Sequence, residues 1–125
     1  MIPDDTLVLI GEDEPDNQVI LQTVVESLVG VRAQVAGDGL AVLASVERER
    51  PRMILLDLMM PGLDGFSVAE QLRARAETRH IPIVVMTAMR DPASRAREVG
   101  ARAYVQKPFD LGELIEIVRE LSGER

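Results

Sequence analysis

The sequence predicts an α/β fold: a doubly wound five-stranded parallel sheet in the order 2-1-3-4-5, flanked by five helices. Two observations carry this. Short, nearly continuous apolar runs bounded by turn signals recur along the chain, the pattern of parallel strands buried on both faces. Helical patterns alternate with them from end to end, with no linker, repeat or low-complexity tract between. A third observation gives the sheet a working edge. Four of the runs end directly in polar groups: Glu12-Asp13, Asp57, Thr87 and Lys107. In open parallel sheets the C-terminal ends of the strands are where ligands bind, because the loops there carry no packing duty.

Residues 6–10 form the first strand and lead through Gly11 into the acidic pair. Pro15-Asp16-Asn17 opens a helix in which Ile20, Leu21, Val24, Val25 and Leu28 recur at helical spacing, with Asp16 able to cap it and Gly30 closing it. The second strand spans residues 31–36. Arg32 and Gln34 interrupt it, which suits an edge position. Asp38 caps a helix over residues 40–46. Four apolar residues then run into Asp57, and a charge is admissible there only if the third strand leaves the sheet at that point.

A turn through Pro61-Gly62-Leu63-Asp64-Gly65 precedes a helix over roughly residues 66–75. The fourth strand, residues 83–86, leads into Thr87-Ala88. Asp91-Pro92 is an N-cap with proline at the first helical position, and Gly100 is the C′ residue, so the helix between has barely two turns. Residues 103–105 form the last strand and lead through Gln106 into Lys107-Pro108. Asp110 caps the last helix, with Glu113 placed for a capping box and Leu111, Leu114, Ile115, Val118 and Leu121 on one face.

At 125 residues the chain reads as one domain, 1–125, able to bury roughly two-thirds of its unfolded surface. The absence of cysteine excludes disulfides, thiolate catalysis and cysteine-ligated zinc. No stretch approaches a membrane span and no signal-peptide pattern stands at the N-terminus, so the expected location is cytoplasmic. A net charge of −7, with two Phe, one Tyr and no Trp, argues against direct binding to nucleic acid or a membrane. Thirteen of the fourteen basic residues are Arg, and the single Lys is Lys107. Its position beside three acids points to a need for a compact, mobile ammonium in place of a guanidinium fork.

Glu12, Asp13 and Asp57 repel one another unless they share a cation or take up protons. Oxygen-only ligands favour a hard metal, Mg²⁺ first and Mn²⁺ second. Once neutralised, the Asp57 carboxylate can act as the nucleophile in phosphoryl transfer and form an acyl phosphate. The Thr87 hydroxyl and the Lys107 ammonium can each serve a phosphoryl oxygen.

With these pieces in order, the chain resembles over essentially its whole length the receiver domain of bacterial two-component response regulators, a flavodoxin-like fold. Glu12-Asp13 is similar to the acidic pair, and Asp57 within Leu-Asp-Leu-Met-Met-Pro-Gly-Leu-Asp-Gly to the phosphoacceptor. Thr87-Ala88 resembles the switch hydroxyl segment, and Tyr104-Val-Gln-Lys107-Pro108-Phe109 the switch aromatic and lysine segment. The resemblance implies Mg²⁺ bound directly by Asp13, Asp57 and the backbone carbonyl of Met59, with Glu12 acting through water. It also implies a cis Lys107-Pro108 bond and Tyr104 as a switch residue. Met59 and Met89 fall at positions that in receivers flank the phosphoryl group.

The implied function is a phosphorylation-activated switch that accepts a phosphoryl group on Asp57 from a histidine kinase or histidine phosphotransfer protein. It then changes the surface of its fourth helix, last strand and last helix to control a downstream protein target. Catalysis is expected only of its own phosphorylation and dephosphorylation, and the molecule is expected to be a monomer or a weak phosphorylation-dependent dimer. A stand-alone regulator is favoured over a receiver excised from a larger regulator or hybrid kinase. A Mg²⁺-dependent phosphohydrolase of the haloacid dehalogenase type is the alternative of another class, but it needs a second Asp where this chain has Met59. Two departures stand out: Glu12 replaces the more frequent Asp, and the segment from Thr87 to Gly100 is two residues shorter than usual. The shortened segment shifts the expected output surface toward the last strand and helix.

Overall fold

The computed structural model describes residues 5–123. Residues 1–4 and 124–125 lie outside the described residues, and with them the ends of the 1–125 domain and the last two residues of the stretch after Leu121. Five parallel strands pair in the order β2-β1-β3-β4-β5, as the sequence predicts. The strands are β1 (Leu7–Gly11), β2 (Arg32–Ala36), β3 (Met53–Asp57), β4 (Ile83–Thr87) and β5 (Ala103–Gln106). The helices are α1 (Pro15–Thr23, continued by a π-helical segment Val24–Val29), α2 (Gly39–Arg48), α3 (Gly65–Ala74), α4 (Pro92–Val99) and α5 (Leu111–Gly123).

Side chains alternate between the two faces of a strand, and here each face has its own core. Leu9, Ile54, Leu56 and Val85 pack with Val42, Val46, Val68 and Leu72 of α2 and α3. Val8, Ile10, Leu55, Val84, Met86 and Val105 pack with Leu21 and Val25 on one side and Leu114 and Val118 of α5 on the other. β1, β3 and β4 are buried at every position, which explains their unbroken apolar runs. Burying each such side chain contributes about 1.5–3 kcal/mol. β2 alternates exposed and half-buried residues, as an edge strand can.

Side-chain caps form on four helices, three of them where the sequence places them and the fourth at Asp64, which the sequence reads only as part of a turn. Asp38, Asp64, Asp91 and Asp110 accept hydrogen bonds from the backbone N–H groups of Ala41, Ser67, Ser94 and Glu113. The first helix departs from expectation in three ways. Its N-cap is Glu14 without a side-chain cap, and Asp16 lies inside the first turn. From Val24 the chain winds as a π-helix, with the Gly30 N–H donating to the Val25 carbonyl at 2.9 Å. The wider turn breaks the 3.6-residue phase, so Leu28 emerges exposed while Leu21, Val24 and Val25 stay buried. Ile20, about 100° around from Leu21, is also exposed.

Leu111, expected on the buried face of α5, is 50% exposed because it begins the helix beyond the sheet's edge. Helix α4 has eight residues, the two turns expected. Asp91 before it is left-handed, with φ of 54°, the one described non-glycine residue at positive φ.

Candidate functional site

The period of two along a strand aims the key side chains together. Val8 and Ile10 belong to the core under α1 and α5, as do Met53 and Leu55 on β3 and Val105 on β5. Two residues further along each chain stand Glu12, Asp57 and Lys107, on the same face at the C-terminal edge. The geometry bears out this convergence. Lys107 Nζ lies 2.8 Å from Asp57 Oδ2 and 3.0 Å from Glu12 Oε1. Glu12, Asp13 and Asp57 each offer an oxygen within 4.8 Å of the others. Glu12 and Asp57 are buried, and Asp13 is the most open of the three.

Backbone groups hold these carboxylates in place. The Met59 N–H donates to Asp57 Oδ1 at 2.9 Å, and the Glu14 N–H donates to Glu12 Oε2 at 3.1 Å. Gln18 Nε2 donates to the Glu12 carbonyl at 2.7 Å. Lys107 is close enough to Glu12 Oε1 for an ion pair but out of hydrogen-bond alignment, so Oε1 is a buried acceptor with unused capacity. Burial pushes the Glu12 carboxyl above its usual range; contact with Lys107 and the Glu14 amide offsets this only in part, and the Asp57 charge adds to it. Burial draws Lys107 down, but Asp57 and then Glu12 outweigh it, and the ammonium is held above its ordinary value.

Three carboxylates face one ammonium, and their donors are all oxygen. With Glu12 Oε1 among them held only by the Lys107 ion pair, this set suits a small hard divalent cation such as Mg²⁺.

Thr87 ends β4 fully buried. Its hydroxyl oxygen accepts the Met89 N–H at 2.9 Å, which leaves the hydroxyl proton to donate, and its carbonyl accepts the Lys107 N–H at 2.9 Å. Met59, two residues past Asp57, is 61% exposed. Tyr104 sits on edge strand β5, 42% exposed, on the face opposite its neighbour Val105. The Lys107-Pro108 bond is cis.

Two supporting residues escaped the sequence reading. Gly65 begins α3 so close to β3 that a Cβ there would lie 2.4 Å from the Asp57 carbonyl oxygen. Only its place at the end of the turn before α3 hinted at this. Gln18, which anchors Glu12 through its carbonyl, had no local signal.

Comparison with known proteins agrees with this geometry. The family model of the response regulator receiver domain matches residues 8–119. Among curated proteins, the chain is 40% identical over 116 residues to the sensory transduction protein RegX3 of Mycolicibacterium smegmatis, covering 91% of this chain and 49% of that protein. The chain spans about half the length of the first curated relatives it matches. Among solved structures it is similar to the receiver domain of a sensor histidine kinase from Pseudomonas aeruginosa, which has a magnesium ion coordinated in its active-site cleft (TM-score 0.85, 31% identity, 96% of this chain and 99% of that one). It is likewise similar to a Francisella response regulator receiver domain (TM-score 0.84, 28% identity, 94% and 97%).

Proposed function

The chain belongs to the response regulator receiver domain family of two-component signalling, and from that membership we propose that it accepts a phosphoryl group on Asp57 and works as a phosphorylation-driven switch. The observation that carries this reading is the Lys107 ammonium 2.8 Å from a buried Asp57 carboxylate, with the Glu12 and Asp13 oxygens beside it. The donor is a phosphohistidine on a histidine kinase or histidine phosphotransfer protein. An Asp57 oxygen attacks phosphorus, the P–N bond breaks, and its electron pair returns to the imidazole. An acyl phosphate results.

Asp13, Asp57 and the Met59 carbonyl, supported by Glu12, would hold Mg²⁺, which would supply charge neutralisation to the anionic phosphoryl group; Mn²⁺ would suit the same donors. Lys107 follows one phosphoryl oxygen, and Thr87 donates its free hydroxyl proton to another. Each movement has a route outward. Thr87 is joined through its carbonyl to the backbone of Lys107, and Tyr104 stands three residues before Lys107 on the exposed edge strand. The surface of α4, β5 and α5 then presents two states to a downstream protein.

An apolar groove of about 310 Å³ between Ile20, Pro108, Phe109 and Leu111 shares Lys107 with the site. It gives the phosphodonor a place to dock within reach of Asp57. The protein turns over no separate substrate, acting catalytically only on its own phosphorylation and dephosphorylation. No described helix is long and apolar enough to cross a membrane.

Incubation with acetyl phosphate and Mg²⁺, followed by intact mass, tests the assignment. One phosphate should add to the wild type and none to Asp57→Asn. Equal labelling of the variant would overturn it.

A further inference from the structure

Of the three carboxylates at the site, two are anchored through their side chains and one is not. Glu12 is held by the Glu14 N–H and by Lys107, and Asp57 by the Met59 N–H and by Lys107. Among the described residues nothing forms a hydrogen bond or ion pair with the Asp13 carboxylate, although one of its oxygens lies within 4.8 Å of the other two acids. Its place is therefore decided by its backbone.

That backbone is fixed from outside the acidic turn. Asp13 leaves the peptide plane that carries the Glu12 carbonyl, in the connection between β1 and α1. The Glu12 N–H donates to the Ala36 carbonyl at 3.0 Å, which ties the near side of Glu12 to β2. On its far side the Glu12 carbonyl accepts Gln18 Nε2 at 2.7 Å, the short end of the range for such bonds. Gln18 stands on α1 with its own N–H bonded to the Glu14 carbonyl at 2.9 Å, so the amide is presented from a helical base. It also lies beside the turn after β2, where a Cβ on Gly37 would be 3.8 Å from Nε2. A peptide unit is planar and swings only as a whole, so holding Glu12 at both its N–H and its carbonyl restricts the direction in which Asp13 departs.

We propose that Gln18 is a positioning residue for the cation site: its amide locks the Glu12–Asp13 peptide plane and so aims the Asp13 carboxylate at the place where it meets Asp57 and a Mg²⁺ ion. It acts through Asp13 and not on the ion. The inference rests on the reading of this acidic cluster as a Mg²⁺ site. Loss of an outer partner that orients a ligand lowers metal affinity by about 10–100-fold, and a ligand held only through its backbone belongs at the lower end.

Titration of the unphosphorylated ¹⁵N-labelled protein with Mg²⁺, read by amide shifts, tests this beside urea unfolding in Mg²⁺-free buffer. Gln18→Met keeps the length of the side chain and loses the donor, whereas Gln18→Asn keeps the amide and is one methylene too short to reach. Both should bind Mg²⁺ about tenfold more weakly than wild type while staying folded throughout the titration. On an Asp13→Asn background, adding Gln18→Met should change the affinity less than about twofold, because the ligand that Gln18 aims is already gone. Wild-type affinity in both single variants would overturn the proposal. So would a full tenfold loss repeated on the Asp13→Asn background, which would mean a general loosening of the site. A wild type that binds no Mg²⁺ would overturn the reading of the cluster itself, and the role of Gln18 with it.

Discussion

Lys107 Nζ meets Asp57 Oδ2 at 2.8 Å although the two residues are fifty apart in sequence and their strands are not neighbours. β4 lies between β3 and β5, so the strand axes are about 10 Å apart. The four-carbon stem of a lysine lets its ammonium cross that gap, and the ammonium can then rotate to follow a moving oxygen.

Lys107→Arg should therefore impair the switch while keeping the charge. A planar fork wedged between Glu12 and Asp57 cannot track one oxygen from carboxylate to phosphoryl group. Acetyl phosphate labelling followed by partner binding separates the steps, with binding expected to fall more than labelling. Unchanged partner binding by the phosphorylated variant would count against this role.

Glu12 supplies a pH signature. Its folded-state pKa is raised, by burial first, so its contribution to stability is fully present below the ordinary 4.5 and is lost as pH rises through the folded value. Without Mg²⁺, Glu12→Gln should stabilise the protein more at pH 7 than at pH 4. Urea midpoints at both values check this; a difference that grows toward acid would contradict it.

Gly65→Ala should be severe. The added methyl would fall 2.4 Å from the Asp57 carbonyl oxygen and 2.6 Å from Leu58 Cα, backbone atoms that cannot swing aside. A loss of about 3 kcal/mol is expected, the upper part of the usual overpacking range. Denaturation at constant m-value measures it.

Asp91 combines a left-handed backbone with a cap on Ser94, the solution that the short β4–α4 connection adopts. Asn tolerates both demands and should be nearly neutral at this position, whereas Asp91→Ala should cost about 2 kcal/mol from the lost cap and the strained φ together. Hydrogen exchange over residues 88–100 should rise in the Ala variant alone. The same measurement with and without a phosphoryl analogue tests whether phosphorylation orders the two-turn α4; strong protection in the unmodified protein would mean the segment is already rigid.

Met59 and Met89 follow Asp57 and Thr87 by two residues, and their N–H groups bond to the Asp57 carboxylate and the Thr87 hydroxyl. These bonds hold both residues next to where the phosphoryl group would form. Their apolar side chains should hinder in-line water, so the acyl phosphate should be comparatively long-lived. Replacing both with small polar residues should speed its loss, and an indifferent decay rate would refute the shielding.

Much of this molecule was legible in local pattern. The buried strands advertise themselves as unbroken apolar runs, the caps at Asp38, Asp91 and Asp110 need only a few neighbouring residues, and the period of two sends Glu12, Asp57 and Lys107 to one face. Other features belong to tertiary packing alone. The reach of Lys107 across β4, the tight seat of Gly65 on Asp57, the burial of Glu12 with a spare acceptor and the π-helical end of the first helix each depend on segments remote in sequence. The physical reason is one of range. Periodicity and capping are set within a single element, whereas the spacing between strands and the desolvation of a charge are set by whichever elements the finished fold brings alongside.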